Sequence, residues 1–132
     1  MSALFLETSA LLRMLFQEEG AEKAEERIGT STRLLASRLI RVEAERAILR
    51  FGLDHPREAK RLQDLQRELK AFWPKVDFIE ITREVCDLAG RTAPESRLRT
   101  LDAIHLATFH RLREIDPSLE IVTFDKRILA EL

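Results

Sequence analysis

The feature that most constrains the fold of this chain is the alternation of short apolar runs with longer amphipathic ones. Four short runs have the length and composition of buried strands. They lie at residues 3–6, 33–36, 78–81 and 120–123. Because helical patterns separate them, we expect the strands to pair in parallel through right-handed crossovers. The predicted fold class is α/β, a three-layer α/β/α sandwich with a mostly parallel central sheet.

The helices between these strands are predicted from apolar periodicity and from capping residues. Helices are expected over residues 8–16, 21–28, 37–51, 54–72, 82–89 and 101–115, and from Asp125 onward. Caps are expected at Thr8–Ser9, Ser37, Thr82 and Thr100, and a helix end at Gly52. The apolar stripe at positions 62, 65, 69 and 72 indicates a packing seam. With the preceding helix, it is also a candidate face for a second copy or a partner helix.

Length and composition predict one globular domain spanning residues 1–132. The chain is 45% hydrophobic and 34% charged. Its first residues lack a basic segment and reach Glu7 after a very short apolar run, which predicts neither a signal peptide nor a membrane span. We therefore expect a cytoplasmic protein with no membrane partner. Cys86 stands alone, which excludes an internal disulfide, and its helical pattern predicts a buried side chain.

Four carboxylates occupy comparable places in this pattern. Glu7 and Asp125 directly follow predicted strands, Glu43 lies two turns into a helix, and Asp102 lies in a first helical turn. In parallel sheets, ligands bind beyond the carboxyl ends of the strands, where the strand order reverses. We expect the four acids to converge there. Grouped carboxylates repel one another unless a cation neutralises them, so a divalent metal is the predicted occupant.

The net charge of −1 conceals an uneven distribution of charge. Setting the four acids aside leaves 19 of the 23 Asp and Glu residues against 22 Lys and Arg, a surplus of about +3 that suits a phosphate-bearing substrate. Arginines recur in two segments: Arg33, Arg38, Arg41, Arg46 and Arg50, then Arg91, Arg97 and Arg99. Solvated helix faces explain any single arginine, so only the clusters suggest phosphate contact.

Four segments around the acids resemble the signature blocks of PIN-domain ribonucleases, especially the VapC-type toxins of bacterial toxin–antitoxin pairs. These segments are Leu6–Leu11, Ser37–Ala47, Leu98–Thr108 and Val122–Arg127. They occur in order and together span nearly the whole chain. The chain departs from the family at Glu7, where an aspartate is usual. The resemblance implies a Mg²⁺- or Mn²⁺-dependent endoribonuclease, commonly dimeric, held inactive by a small antitoxin whose C-terminal segment crosses the site.

Phosphodiester hydrolysis needs an activated water, a cation at the phosphate and stabilisation of the departing oxygen, and a carboxylate-held metal supplies all three. Magnesium retains several waters, so two or three direct carboxylates suffice. We assign Glu7 and Asp102 as metal ligands, with Glu43 and Asp125 orienting or bridging through water. The simpler alternatives are a solvated helix acid at Glu43 and a helix N-cap at Asp125.

Smaller polar residues lie beside these acids. Thr8, Ser9 and Thr123 are candidates to hydrogen-bond the carboxylates or metal-bound waters, although capping and turns explain them almost as well. Arg99, which precedes the acid of the third block, is a candidate to bind substrate. His105 lies three residues after that acid and on the same helical face, which makes it a candidate ligand. Its apolar neighbours favour a hydrogen-bonded core histidine instead.

Two other functions fit part of this pattern. A phosphoryl-accepting receiver or phosphatase also gathers acids at strand ends, but it needs an acidic pair at the first strand, whereas Glu7 is followed by Thr8 and Ser9. The chain also lacks the GxGxxG and GxxxxGK[ST] loops of nucleotide-binding proteins. A non-catalytic PIN-like module that binds RNA or a partner without cutting is the second alternative, and Glu7 keeps it open.

Overall fold

The computed structural model describes residues 3–132 and contains, within them, a four-stranded sheet and seven α-helices. The strands are β1 (Ala3–Leu6), β2 (Arg33–Ser37), β3 (Val76–Ile79) and β4 (Glu120–Val122). The helices are α1 (Thr8–Leu15), α2 (Ala21–Thr30), α3 (Leu39–Asp54), α4 (Ala59–Phe72), α5 (Arg83–Ala89), α6 (Thr100–Ile115) and α7 (Lys126–Leu129). None of these described helices is long and apolar enough to cross a membrane.

The sheet has the order β3-β2-β1-β4, and every adjacent pair of strands is parallel. Side chains that alternate along β1 divide the core into two layers. Leu4 and Leu6 belong to a larger cluster that includes buried residues of α1, α3 and α4. Phe5 belongs to a smaller cluster with residues of α6 and α7. The predicted three-layer α/β/α fold class is confirmed.

The strand order reverses between β1 and β4. The chain proceeds outward from β1 to β2 and β3, and then crosses to the far side of β1 to form β4. The backbone N–H of Glu7 donates to the carbonyl of Val122 at 3.1 Å, which keeps the ends of these two strands together. Ligands of parallel sheets bind at such a reversal. We therefore expect a ligand site near the residues that directly follow β1 and β4.

Strand β3 begins at Val76, two residues before its predicted start. Val76 is buried in the larger cluster, whereas Ile81 lies beyond the strand and is exposed. The alternation of the strand turns Asp77 outward, where its carboxylate pairs with Arg33 of β2 at 2.6 Å. Alternation of buried and exposed residues therefore describes this strand better than the apolar run at residues 78–81 does. Alternation allows the charged Asp77 to lie within the strand.

Helix α3 continues through Gly52, where the sequence predicts its end. A Cβ added to Gly52 would lie only 2.8 Å from a methyl carbon of Leu62 on α4. Glycine at this position therefore lets α3 and α4 approach closely, and it does not stop the helix.

Three helices begin one or two residues away from the caps that the sequence predicts. Their observed N-cap residues are Glu7 for α1, Arg38 for α3 and Arg99 for α6, where Thr8–Ser9, Ser37 and Thr100 were expected. The cap at Thr82 is confirmed, since its hydroxyl accepts from the N–H of Val85 at 3.2 Å. An N-cap side chain usually accepts from a backbone N–H of its own helix, but Glu7 accepts no such bond. Its carboxylate is available to other partners.

Two predictions about apolar packing have different outcomes. The apolar stripe of α4 packs into the larger cluster, which confirms the predicted packing seam. The stripe is therefore covered within the chain. Its members are Leu62, Leu65, Leu69 and Phe72. Cys86 is exposed and its predicted burial is wrong, because α5 buries the adjacent Val85 instead.

Two glycines at opposite ends of α2 give a matched test of the packing beside β4. Gly20 has φ +92°, and a Cβ there would lie 2.6 Å from the ring of Phe124. We expect Gly20→Ala to lower the free energy of unfolding by at least about 1–2 kcal/mol. Gly29 lies within α2, and an added Cβ would meet nothing within 4 Å, so Gly29→Ala should raise stability by about 0.4–1 kcal/mol. Urea unfolding measures both, and a Gly20→Ala protein as stable as the parent would contradict this packing.

Candidate active site at the carboxyl edge of the sheet

Glu7 is the first residue after β1, and only 4% of its surface is exposed. Its Oε1 accepts hydrogen bonds from the hydroxyl of Ser9 at 2.5 Å and from the hydroxyl of Thr123 at 2.6 Å. Ser9 lies in the first turn of α1 and Thr123 directly follows β4, so the donors come from both strands that flank the reversal. A buried carboxylate is costly without such donors. The two hydroxyls replace lost water at one oxygen of Glu7.

Asp125 is connected to the same network and also caps α7. Its N–H donates to the hydroxyl of Thr123 at 3.0 Å, and that hydroxyl in turn donates to Glu7. Its own Oδ1 accepts from the N–H groups of Arg127 and Ile128 at 2.8 and 3.3 Å. Oδ1 of Asp125 therefore caps α7, which is the simpler alternative that the sequence offered for this residue. Oδ2 makes no hydrogen bond to the residues that the structure describes.

Glu43, on α3, accepts hydrogen bonds from side chains of two other helices. The hydroxyl of Thr8 donates to its Oε1 at 2.7 Å, and Nε2 of His105 lies 2.5 Å from the same oxygen. Thr8 and His105 are buried, while the Glu43 side chain remains 24% exposed. Helices α1, α3 and α6 thus meet at one carboxylate oxygen. Glu43 is not an isolated acid on a solvated helix face.

The pKa of Glu43 is lowered from its ordinary value. Burial is the largest single influence and acts in the opposite direction, because it disfavours the charged form. The hydrogen bond and charge of His105, the hydroxyl of Thr8 and the charge of Arg99 together outweigh burial. Glu43 is therefore ionised at neutral pH, and its carboxylate is a hydrogen-bond acceptor.

Asp102 is the third residue of α6 and is buried, with 6% exposure. Its Oδ2 accepts from the backbone N–H of Arg99 at 3.3 Å and lies 3.5 Å from Nε of the same arginine. The carboxylate helps to close the start of α6 and draws the Arg99 side chain, which is largely exposed, to this edge of the sheet. Because Arg99 also lowers the pKa of Glu43, it is a charged neighbour of both acids.

The four carboxylates share one chemical feature: each uses a single oxygen in hydrogen bonds to described residues. The bonded atoms are Oε1 of Glu7, Oε1 of Glu43, Oδ2 of Asp102 and Oδ1 of Asp125. The other oxygens are open, and such oxygens are the ligands that Mg²⁺ and Mn²⁺ prefer. Within residues 3–132, no three His, Cys, Asp or Glu side chains are placed to hold one ion together. The donors therefore fit a hydrated ion held by one or two carboxylates, and they do not form a closed cage.

A cavity of about 720 Å³ lies beside Glu43. Its wall combines Thr8 and the acids Glu43 and Asp54 with apolar side chains of α1, α3 and α6 and with three arginines, which are Arg46, Arg50 and Arg99. Other arginines that the sequence singles out pair with acids elsewhere, as Arg33, Arg38 and Arg41 do. Arg46 and Arg50 form no ion pair within the described part of the chain. Glu7, Asp102 and Asp125 do not line this cavity.

Sequence reasoning underestimated His105. The residue is buried as predicted, but its contact is with Glu43 of another helix, and its Nδ1 has no partner among the described residues. The spacing of three residues from Asp102 was the available signal, and it suggested a candidate ligand beside that acid, whereas the observed partner is Glu43. The contact with Glu43 depends on how α6 packs beside α3, which helical spacing does not specify.

The sequence is similar to a known family and to named relatives. A family model described as PIN domain matches residues 4–132. The chain is 30% identical over 128 residues to Ribonuclease VapC45 of Mycobacterium tuberculosis (strain CDC 1551 / Oshkosh), an alignment that covers 97% of this chain and 88% of the relative. It is 36% identical over 112 residues to Ribonuclease VapC46 of M. tuberculosis (strain ATCC 25618 / H37Rv), covering 85% and 78% respectively.

Two solved structures share the fold. One is a toxin-antitoxin complex from Klebsiella pneumoniae, with a TM-score of 0.67 and 23% identity. The other is VapBC2 from Rickettsia felis bound to a DNA fragment from its promoter, with a TM-score of 0.66 and 12% identity. Each alignment covers 98% of this chain and 92% of the matched chain. At these identities, the likeness concerns the fold alone.

Proposed function

This chain belongs to the PIN domain family, and we propose that it is an endoribonuclease that hydrolyses RNA phosphodiester bonds as the toxin of a type II toxin–antitoxin system. The observation that carries this proposal is its identity of 30% and 36% with two ribonucleases, VapC45 and VapC46, over most of both chains. The open carboxylate oxygens at the reversal of strand order suit that chemistry. Action in the cytoplasm is part of the proposal.

The proposed cofactor is Mg²⁺ or Mn²⁺, held by the open oxygens of Glu7 and Asp102. A bound divalent ion supplies charge neutralisation at the scissile phosphate and activates water for attack. Ser9 and Thr123 anchor the opposite oxygen of Glu7, and this restricts the orientation of the free one. The backbone N–H of Arg99 has the same effect on Asp102. These donors act by orienting the two carboxylates.

Glu43 and Asp125 are assigned to orient water. The lowered pKa of Glu43 keeps its carboxylate ionised at neutral pH, so its free oxygen can accept a hydrogen bond from water. Asp125 retains one oxygen that α7 does not use. Both acids can therefore hold a water molecule while their other oxygen stays fixed to the protein.

The proposed RNA contacts are the arginines beside Glu43. Arg99 is the substrate-binding candidate of the sequence, and Arg46 and Arg50 join it because they line the same cavity. Guanidinium groups bind phosphate oxygens through paired N–H donors, which position the backbone without reading the bases. The three arginines therefore supply affinity for RNA and no choice of target sequence.

The proposed partner is a small antitoxin protein. The Klebsiella pneumoniae structure that shares this fold is a toxin-antitoxin complex. The cavity beside Glu43 combines apolar side chains with arginines, so it suits a segment that carries both apolar and acidic residues. A segment bound there would lie between RNA and Glu43, which accounts for inhibition by occlusion.

The second candidate is a non-catalytic or attenuated PIN-like module that binds RNA or a partner. The observation that favours it is Glu7, which stands where the family normally has aspartate. In this case the arginines would still bind RNA, but the carboxylates would not support turnover. Cleavage of RNA in the presence of Mn²⁺ separates the two candidates.

We expect Asp102→Asn to abolish metal-dependent RNA cleavage without unfolding the protein. The change removes one ligand charge, while relief of carboxylate repulsion should leave thermal stability equal or higher. Cleavage of single-stranded and structured RNAs at limiting Mg²⁺ measures the loss. Asp87→Asn, at an exposed acid of α5, is the control for the change in charge. Undiminished cleavage by Asp102→Asn would contradict the assignment of Asp102 as a metal ligand.

We expect Glu7→Asp to cleave RNA faster than the parent at saturating Mn²⁺. The extra methylene of glutamate moves the carboxylate by roughly 1 Å, and misplacement on that scale costs up to about 10²-fold in rate. Thermal stability in metal-free buffer should be similar, and Glu26→Asp, at an exposed acid of α2, is the control for shortening a side chain. If Glu7→Asp is equally slow or slower, the non-catalytic module becomes the better account.

We expect a homodimer in solution. Helix α3 exposes apolar side chains on one face: Val42 is 52% exposed, and Leu49 and Leu53, which also line the cavity beside Glu43, are 55% and 76% exposed. Such a face favours association. Light scattering should give about twice the chain mass of 15.3 kDa. Val42→Glu should shift the mass toward monomer, whereas Ile115→Glu, at an exposed site on α6, should not. A monomeric parent at high concentration would contradict this expectation.

A further inference from the structure

His105 reaches Glu43 from the core. Its side chain on α6 is fully buried, and its Nε2 lies 2.5 Å from Oε1 of Glu43. An ionised carboxylate only accepts hydrogen bonds, so Nε2 must carry the hydrogen in this contact. The hydroxyl of Thr8, 2.7 Å from the same oxygen, is a second donor. Two buried donors therefore anchor one oxygen of Glu43.

The other ring nitrogen of His105, Nδ1, does not anchor a side chain. Nδ1 is buried and has no hydrogen-bond partner among the residues that the structure describes. A polar atom buried without a partner is destabilising, and a leucine of similar volume would fill the space without that cost. Packing alone therefore does not account for a histidine at this position. The polar chemistry of the ring is directed at Glu43 through Nε2.

The anchoring is asymmetric. Thr8 and His105 both contact Oε1, whereas Oε2 of Glu43 makes no hydrogen bond to described residues. Glu43 also lines the cavity that holds Arg46 and Arg50. A glutamate side chain rotates about three bonds, so fixing one oxygen restricts where the other can lie.

We propose that His105 is a positioning residue, which holds Oε1 of Glu43 in the core and so leaves Oε2 as the oxygen available at the cavity. Thr8 is the second anchor of the same oxygen. The effect on cleavage rests on the proposed function, because it requires Glu43 to act on RNA or water. The anchoring itself does not depend on that function.

The test is a double-mutant cycle on cleavage at saturating Mn²⁺, with parent, His105→Leu, Glu43→Gln and the double variant. His105→Leu should lower kcat by about 10–100-fold, as is typical for groups that orient a site residue. KM should change little, since buried His105 does not reach the substrate. In the Glu43→Gln background, His105→Leu should have no further effect. His105→Gln, whose amide can donate in place of Nε2, should recover most of the lost rate.

A second readout needs no activity. In metal-free protein, NMR titration of the Glu43 carboxyl carbon should give a higher pKa in His105→Leu than in the parent, because burial remains while a donor is lost. His105→Gln should give a pKa close to that of the parent. Thr8→Val removes the other donor with little change of shape, so it should also raise the pKa of Glu43.

Several results would overturn the proposal. They are an undiminished kcat in His105→Leu, an equal loss of rate in the Glu43→Gln background, and the same loss in His105→Gln as in His105→Leu. If the parent does not cleave RNA, the proposed function fails. The pKa of Glu43 in His105→Leu still tests the anchoring. An unchanged pKa overturns it, and a raised pKa supports it. If His105→Leu does not fold, Thr8→Val decides by the same pKa comparison.

Discussion

Carboxylates removed from water need donors, and this requirement shapes the whole edge of the sheet. Glu7 and Asp102 are almost fully buried, and each would be costly without hydrogen bonds. Ser9 and Thr123 supply them to Glu7, and the backbone of Arg99 supplies one to Asp102. Ser9 and Arg99 are close in sequence to the acids that they contact, whereas Thr123 is 116 residues from Glu7. The donors of Glu7 are therefore complete only when β1 and β4 have paired.

The parallel sheet determines which residues can meet at this edge. Strand β1 is an inner strand, its side chains alternate between the two core clusters, and its end faces the end of β4 where the strand order reverses. Glu7 and Thr123 consequently emerge side by side. Helices α3 and α6 lie on opposite faces of the sheet, yet His105 and Glu43 meet beyond the strand ends. Strand order and helix packing therefore determine which partner each of these side chains has.

Local patterns predicted the strands β1, β2 and β4, because apolar runs depend on near neighbours. Features that depend on packing were missed. Gly52 lies inside α3 and not at its end, because the close approach of α4 leaves no space for a Cβ there. Strand β3 begins at Val76, and its alternation places the charged Asp77 within the strand. His105 contacts Glu43 of another helix, although its spacing only made it a candidate ligand beside Asp102. Which oxygen of each carboxylate is anchored is likewise a property of the assembled fold.

We propose that Glu7 and Asp102 together hold a divalent ion at the carboxyl edge of the sheet. Anomalous diffraction from crystals soaked in Mn²⁺ tests it most directly, because it identifies the ligands without relying on activity. We expect a single manganese peak at about 2.1 Å from one carboxylate oxygen of each residue, with water completing the coordination. A crystal without bound manganese, or a peak that does not contact both residues, would rule out this site.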